Sequence, residues 1–164
     1  MTRVYITIDT EYSSGLYTGP GRVDRAENYA RSIACITPGG PAGITHKLAL
    51  LRRFGQKAGF FVDQGVIEVP AGTIGTLGGG QRHAQITALT LAELTAAIRH
   101  ARDTGRASFT LVSHSFELIN RRKLAVNHVV RRRFTGLVEA LATMPGVESG
   151  TYADTPPTVA VPTT

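Results

Sequence analysis

The chain has 164 residues, 42% of them hydrophobic, and a formal net charge of +6. That size suits one domain with a buried core; no apolar run is long enough to span a bilayer, and without a secretory leader pattern a cytoplasmic location is expected. The single cysteine, Cys35, excludes an internal disulfide and a cysteine metal cluster, and reads as a buried or loop thiol.

Residues 3–11, Arg-Val-Tyr-Ile-Thr-Ile-Asp-Thr-Glu, alternate β-branched and polar positions, so Val4, Ile6 and Ile8 share one face of a strand. Asp9 and Glu11 emerge where that strand stops. A lone carboxylate there would read as the start of a polar turn; a second reactive strand end downstream favours a site. Residues 12–43 are rich in Gly, Ser, Thr and Pro and read as a surface excursion, with a short helix between about Asp24 and Ile36. Loops of this length usually shape a site. Thr45 is placed to cap the next helix, whose stripe is Leu48, Leu51 and Phe54, with Gly55 as its stop. Ala58 to Asp63 reads as a buried strand ending in another carboxylate. Strand, helix, strand is a βαβ unit and implies a parallel sheet.

Gln64 to Gln85 carries many glycines but lacks the spacing and Lys-Ser/Thr of a phosphate loop, and reads as a flexible connection. Thr90-Leu-Ala-Glu93 is a capping box opening a helix that runs to about Thr104, before Gly105. Ser108 to Ser113 is a compact strand with His114 directly after it. A longer helix spans about Asn127 to Met144, with Val130, Phe134, Leu137, Val138 and Leu141 as its buried stripe and Arg131, Arg132 and Arg133 near its start. Val147 to Ala153 reads as a last strand. Residues 1–154 thus form one domain, and the Pro- and Thr-rich tail 155–164 reads as disordered.

In a parallel sheet Asp9, Glu11, Asp63 and His114 open on one rim. A carboxylate base facing an imidazole acid suits hydrolysis, one activating water and the other protonating the leaving group. The competing reading of His114 is a core-edge histidine bonded to a backbone carbonyl. Ser113-His114-Ser115 lacks the Gly-x-Ser-x-Gly elbow of a serine hydrolase. The basic stretch Arg121, Arg122, Lys123 and Arg131–Arg133 has no nucleic-acid-binding signature beside it and reads as a solvated helix face, so nucleic acid is not an expected partner.

Ile6-Thr-Ile-Asp9-Thr-Glu11 resembles the first motif of the polysaccharide deacetylases, the nodulation-deacetylase-like carbohydrate esterases. Leu111-Val-Ser-His114 resembles their closing Leu-x-x-His, and Ser115-Phe-Glu-Leu118 extends that likeness. Gly43-Ile-Thr-His-Lys-Leu with Lys57-Ala-Gly-Phe-Phe-Val-Asp63 resembles their first helix and second strand. The resemblance implies a deformed (β/α) barrel and a divalent metal, often zinc, in hydrolysis of an N-acetyl amide on a sugar polymer. It implies Asp9 as the base, His114 as the acid and Glu11, beyond Thr10 where the family has a second aspartate, as a substitute metal ligand. The family's His-x-x-x-His pair and arginine motif have no counterpart here: His83 and His100 are too far apart, and His46 belongs to a helix start. Asp63 runs at once into Gly65-Val-Ile-Glu-Val-Pro, as though the centre were missing around residues 63–68.

A closed barrel needs at least about 200 residues. The expected fold is therefore α/β, a partial, open remnant of a deformed barrel with mainly parallel strands. Zinc catalysis needs three protein ligands and an open position, so the expectation is a deacetylase-like hydrolase with weak or no activity. The alternative is a non-catalytic remnant that binds carbohydrate or a partner. Unpaired sheet edges would promote self-association.

Overall fold

The computed structural model describes residues 1–13, 16, 21–62, 72–75, 80–120 and 123–154. Asp63, residues 64–71 of the glycine-rich segment, Arg121, Arg122 and the tail 155–164 lie outside the described residues.

At the centre is β1 (Thr2–Thr10), in which Val4, Tyr5, Ile6, Thr7 and Ile8 are all buried. Burial on both faces marks an interior strand of a covered parallel sheet. One edge of β1 pairs along residues 3–9 with β7 (Ser108–His114). The other edge is shared: β10 (Val147–Gly150) takes residues 2–5, and β4 (Gly59–Val62) takes residues 7–10. All three pairings are parallel, so the protein is mixed α/β, and among the described residues the sheet has four parallel strands and does not close into a barrel.

Among the described residues four helices connect and cover these strands: α1 (Arg25–Ser32), α2 (Ile44–Arg53), α3 (Leu91–Asp103) and α4 (His128–Thr143). The periodicity of α4 buries Val130, Phe134, Leu137, Val138 and Leu141, which join Leu94 and Ile98 of α3 and Val4, Ile6 and Ile8 of β1 in one apolar core. The α3 capping box forms as its spacing predicts, Thr90 Oγ1 accepting from the Glu93 N–H while Glu93 accepts from the Thr90 N–H. Asn127 caps α4 and Asp24 caps α1. Among the described residues no helix is long and apolar enough to cross a membrane.

Three expectations need correction. Thr45 does not cap α2; Gly43 holds the cap position. The N–H groups of Gly43 and Ile44 donate to the carbonyls of Ala34 and Ile33, and a Cβ on Gly43 would fall 2.1 Å from the Ile33 oxygen. The helix start is thus satisfied by neighbouring backbone, which only glycine can approach so closely. The inward face of α2 is Lys47, Leu50 and Leu51 rather than a stripe through Leu48. The 12–43 segment is not wholly superficial, since Asn28, Ser32, Ile33, Ala34, Cys35 and Ala42 are buried.

The described part of the glycine-rich segment is also ordered against the sheet. β5 (Thr73–Gly75) and β6 (Gln81–His83) form an antiparallel pair. Beyond them Val112 donates to Ala84 and Ile86 donates to Val112, so residues 84–86 line the outer edge of β7. The described residues also include two small two-stranded ribbons, β2 (Ile36–Thr37) with β3 (Gly40–Pro41) and β8 (Ile119–Asn120) with β9 (Ala125–Val126).

Candidate active site

The β1–β7 register places Asp9 opposite His114. Paired residues of adjacent strands project to the same face, so both side chains leave the sheet together at its C-terminal rim. His114 Nε2 lies 3.5 Å from Asp9 Oδ2, with side chains 24% and 38% exposed. That distance exceeds a tight charge-assisted hydrogen bond, at about 2.7–2.9 Å. Both groups therefore remain open to a third molecule. Glu11 stands close enough to contribute to the field at His114.

A second carboxylate lies behind the imidazole. After His114 the chain makes a four-residue 3-10 turn, Ser115–Leu118, whose third residue is Glu117. Glu117 Oε1 lies 3.3 Å from His114 Nδ1 and accepts from Gln85 Nε2 at 2.8 Å and Thr87 Oγ1 at 3.0 Å. Its Oε2 accepts from Ser113 Oγ at 2.9 Å and the His114 N–H at 3.0 Å. An ionised carboxylate only accepts, so Nδ1 is the donor to Glu117. A neutral ring would then turn the Nε2 lone pair toward the Asp9 carboxylate; protonation converts that repulsion into attraction.

The electrostatics follow. The hydrogen bond to Glu117 raises the His114 pKa above its ordinary value; burial opposes this, and the charges of Glu117, Asp9 and Glu11 reinforce it. For Glu117, burial alone would favour the neutral acid. Hydrogen bonds from His114 and Gln85, with the Lys47 ammonium nearby, outweigh it and hold the carboxyl at about 2. The ring of Phe116 stacks on His114 at 5.3 Å and covers one face of the imidazole.

The remaining partner comes from the helical layer. Ser113 pairs with Ile8 and points to the opposite face from His114, where Lys47 of α2 reaches it. Lys47 is fully buried, with Nζ 2.6 Å from Ser113 Oγ and bonded to the His114 carbonyl. Burial lowers its pKa to about 8, against the opposing effects of Glu117, Cys35 and Asp9.

The structure thus brings Asp9 and His114 together, with Glu11 nearby. Asp63 lies outside the described residues. His46, His83 and His100 are dispersed on α2, β6 and α3. Cys35, which reads from the sequence as a buried or loop thiol, is buried. Of the basic stretch, Arg132 is exposed, whereas Arg133 Nη1 donates to the Ile86 carbonyl.

No family model, curated protein or solved structure matches this chain.

The described donors do not fit the zinc site that the deacetylase resemblance implies. His114 Nδ1 is turned to Glu117, and both oxygens of Glu117 are taken by internal donors, so neither is free to ligate. Among the described residues no three His, Cys, Asp or Glu side chains are grouped so as to hold a metal ion.

Sequence reasoning missed Glu117, Lys47, Gln85 and Thr87. A signal existed for two of them. Glu117 sits three residues beyond His114, the spacing at which a side chain returns to its cap. Lys47 occupies the first position of a 47, 50, 51, 54 helical stripe.

Proposed function

We propose that this chain is a polysaccharide deacetylase-like hydrolase, acting weakly on the N-acetyl amide of a carbohydrate, its sheet an open remnant of a deformed (β/α) barrel. One observation carries the reading: the Asp9 carboxylate and the His114 imidazole meet across the rim of a parallel sheet, 3.5 Å apart. The ionised Asp9 takes a proton from water as its oxygen attacks the acetyl carbonyl. The carbon–nitrogen bond then breaks, and His114 Nε2 gives its proton to the departing amine. Acetic acid and a free amine result, and the proton on Asp9 passes back to the neighbouring Nε2. Glu117 stabilises the imidazolium and fixes the tautomer of the neutral ring.

The test is acetate release from chitin oligosaccharides by the purified protein, with and without added zinc, alongside its bound metal content. Release abolished by Asp9→Asn supports the reading; release unaffected by Asp9→Asn and by His114→Gln contradicts it.

A second reading, a non-catalytic remnant that binds carbohydrate or a partner, draws support from the internal satisfaction of His114 and Glu117. Glycan binding unchanged by a chelator and without turnover would favour it. In either case the outer edges of β4 and β10, unpaired among the described residues, offer a route to self-association, read by size-exclusion chromatography.

A further inference from the structure

A lysine ammonium is almost never fully buried unless something anionic or strongly accepting holds it. Lys47 has no exposed surface; its ammonium donates to the Ser113 hydroxyl and the His114 carbonyl and lies over the Phe134 ring, whose centroid is 5.3 Å away. The Ser113 hydroxyl accepts from Lys47 and donates its own proton to Glu117. A continuous line therefore runs from Lys47 through Ser113, Glu117 and His114 to Asp9. Three elements meet along it: α2, the end of β7 with its following turn, and β1. The charged or titratable groups around Lys47 are Glu117 on the turn, Cys35 after α1 and Asp9 on β1.

We propose that Lys47 is the positioning residue of this site: through Ser113 and the His114 carbonyl it counter-charges Glu117 and fixes the end of β7, so that His114 Nε2 faces Asp9. Its consequence for turnover rests on the acid–base reading above, but the electrostatic link does not need turnover to be seen. A buried Glu117 carboxylate without this cation would carry one imidazolium as its sole counter-charge, and that imidazolium must give up its proton during the reaction. Lys47 keeps the carboxylate ionised while His114 cycles.

The link is read by carbon NMR titration of the whole chain, following the lysine Cε and glutamate carboxyl signals. Glu117→Gln assigns the Glu117 signal and Lys47→Met the Lys47 signal. The expected result is a Lys47 midpoint near 8, far below that of an ordinary lysine, with the Glu117 carboxyl signal inflecting at the same pH. In Lys47→Met that inflection disappears while the one from His114 remains. In Ser113→Ala it weakens, and in Ser115→Ala, which removes a buried hydroxyl outside the relay, it stays. Should Lys47→Met fail to fold, the buried lysine is assigned by its protection from amine-labelling reagents, and the coincidence of midpoints and Ser113→Ala decide. A Glu117 signal flat through the Lys47 titration, or equally weakened in both serine variants, overturns the proposal. If the protein releases acetate, Lys47→Met should lower kcat and leave KM within about twofold, because Lys47 lies behind the site rather than at its opening. Coupling without acetate release would leave this relay standing and remove the hydrolase reading.

Discussion

Glu117 and His114 are held together twice: the backbone N–H of His114 donates to one carboxylate oxygen and its ring Nδ1 faces the other. The same carboxylate thus closes the turn after β7 and sets the imidazole's tautomer. Local chain geometry and site chemistry share one side chain, so a change at Glu117 must appear in both stability and titration.

On the acid side, Glu117 should govern stability. Its folded pKa, about 2, is below the ordinary value, so its contribution is complete above about pH 4.5 and is lost as pH falls toward 2. That difference corresponds to stabilisation on the order of 3 kcal/mol. Denaturant titrations at pH 2.5, 4 and 6 should show a steep acid limb in the native chain and a shallower one in Glu117→Gln.

His114 has the opposite sign. Its folded pKa is raised, so its ionised form stabilises the fold fully below the unfolded value and loses that contribution as pH rises through the folded one. Removing the imidazole in His114→Gln should therefore abolish a stability decrease that sets in as pH rises above the ordinary histidine value, measured by chemical unfolding across that range.

Gly43 is a backbone requirement. A Cβ there would collide with the Ile33 and Ala34 carbonyls, whereas one on Gly21 meets nothing within 4 Å. Gly43→Ala should cost about 3 kcal/mol or more, and Gly21→Ala should stay within about 0.5 kcal/mol of the native protein. Thermal unfolding of the two variants side by side measures the contrast.

Much of the frame was readable in the residues themselves. Alternation in β1, the Thr90–Glu93 box and the α4 stripe are local patterns, and local patterns survive into the fold when tertiary contacts agree with them. Asp9 and His114 were legible as strand ends, and a parallel sheet aligns such ends on one rim. What stayed hidden depended on contacts distant in sequence. Lys47 sits in an apolar stripe but is a lysine, and nothing local says that the Ser113 hydroxyl and the His114 carbonyl, more than 60 residues away, will receive it. Thr45 reads as the α2 cap because side-chain capping is visible in sequence, while the carbonyls of residues 33 and 34 that accept from Ile44 and Gly43 are not. Gln85 closes a stretch whose glycines read as flexibility, and Thr87 follows just beyond it; the backbone of residues 84–86 runs along the edge of β7 and brings both side chains to Glu117.

The pairing at the rim is most directly tested by the titration of the His114 ring, followed by nitrogen NMR in the native chain, Glu117→Gln and Asp9→Asn. The expected result is a midpoint above that of a free histidine, falling markedly in Glu117→Gln and by a smaller amount in Asp9→Asn, with Nδ1 keeping its proton wherever Glu117 is present. A midpoint at or below the free value, unmoved by either substitution, would contradict an imidazole held between two carboxylates.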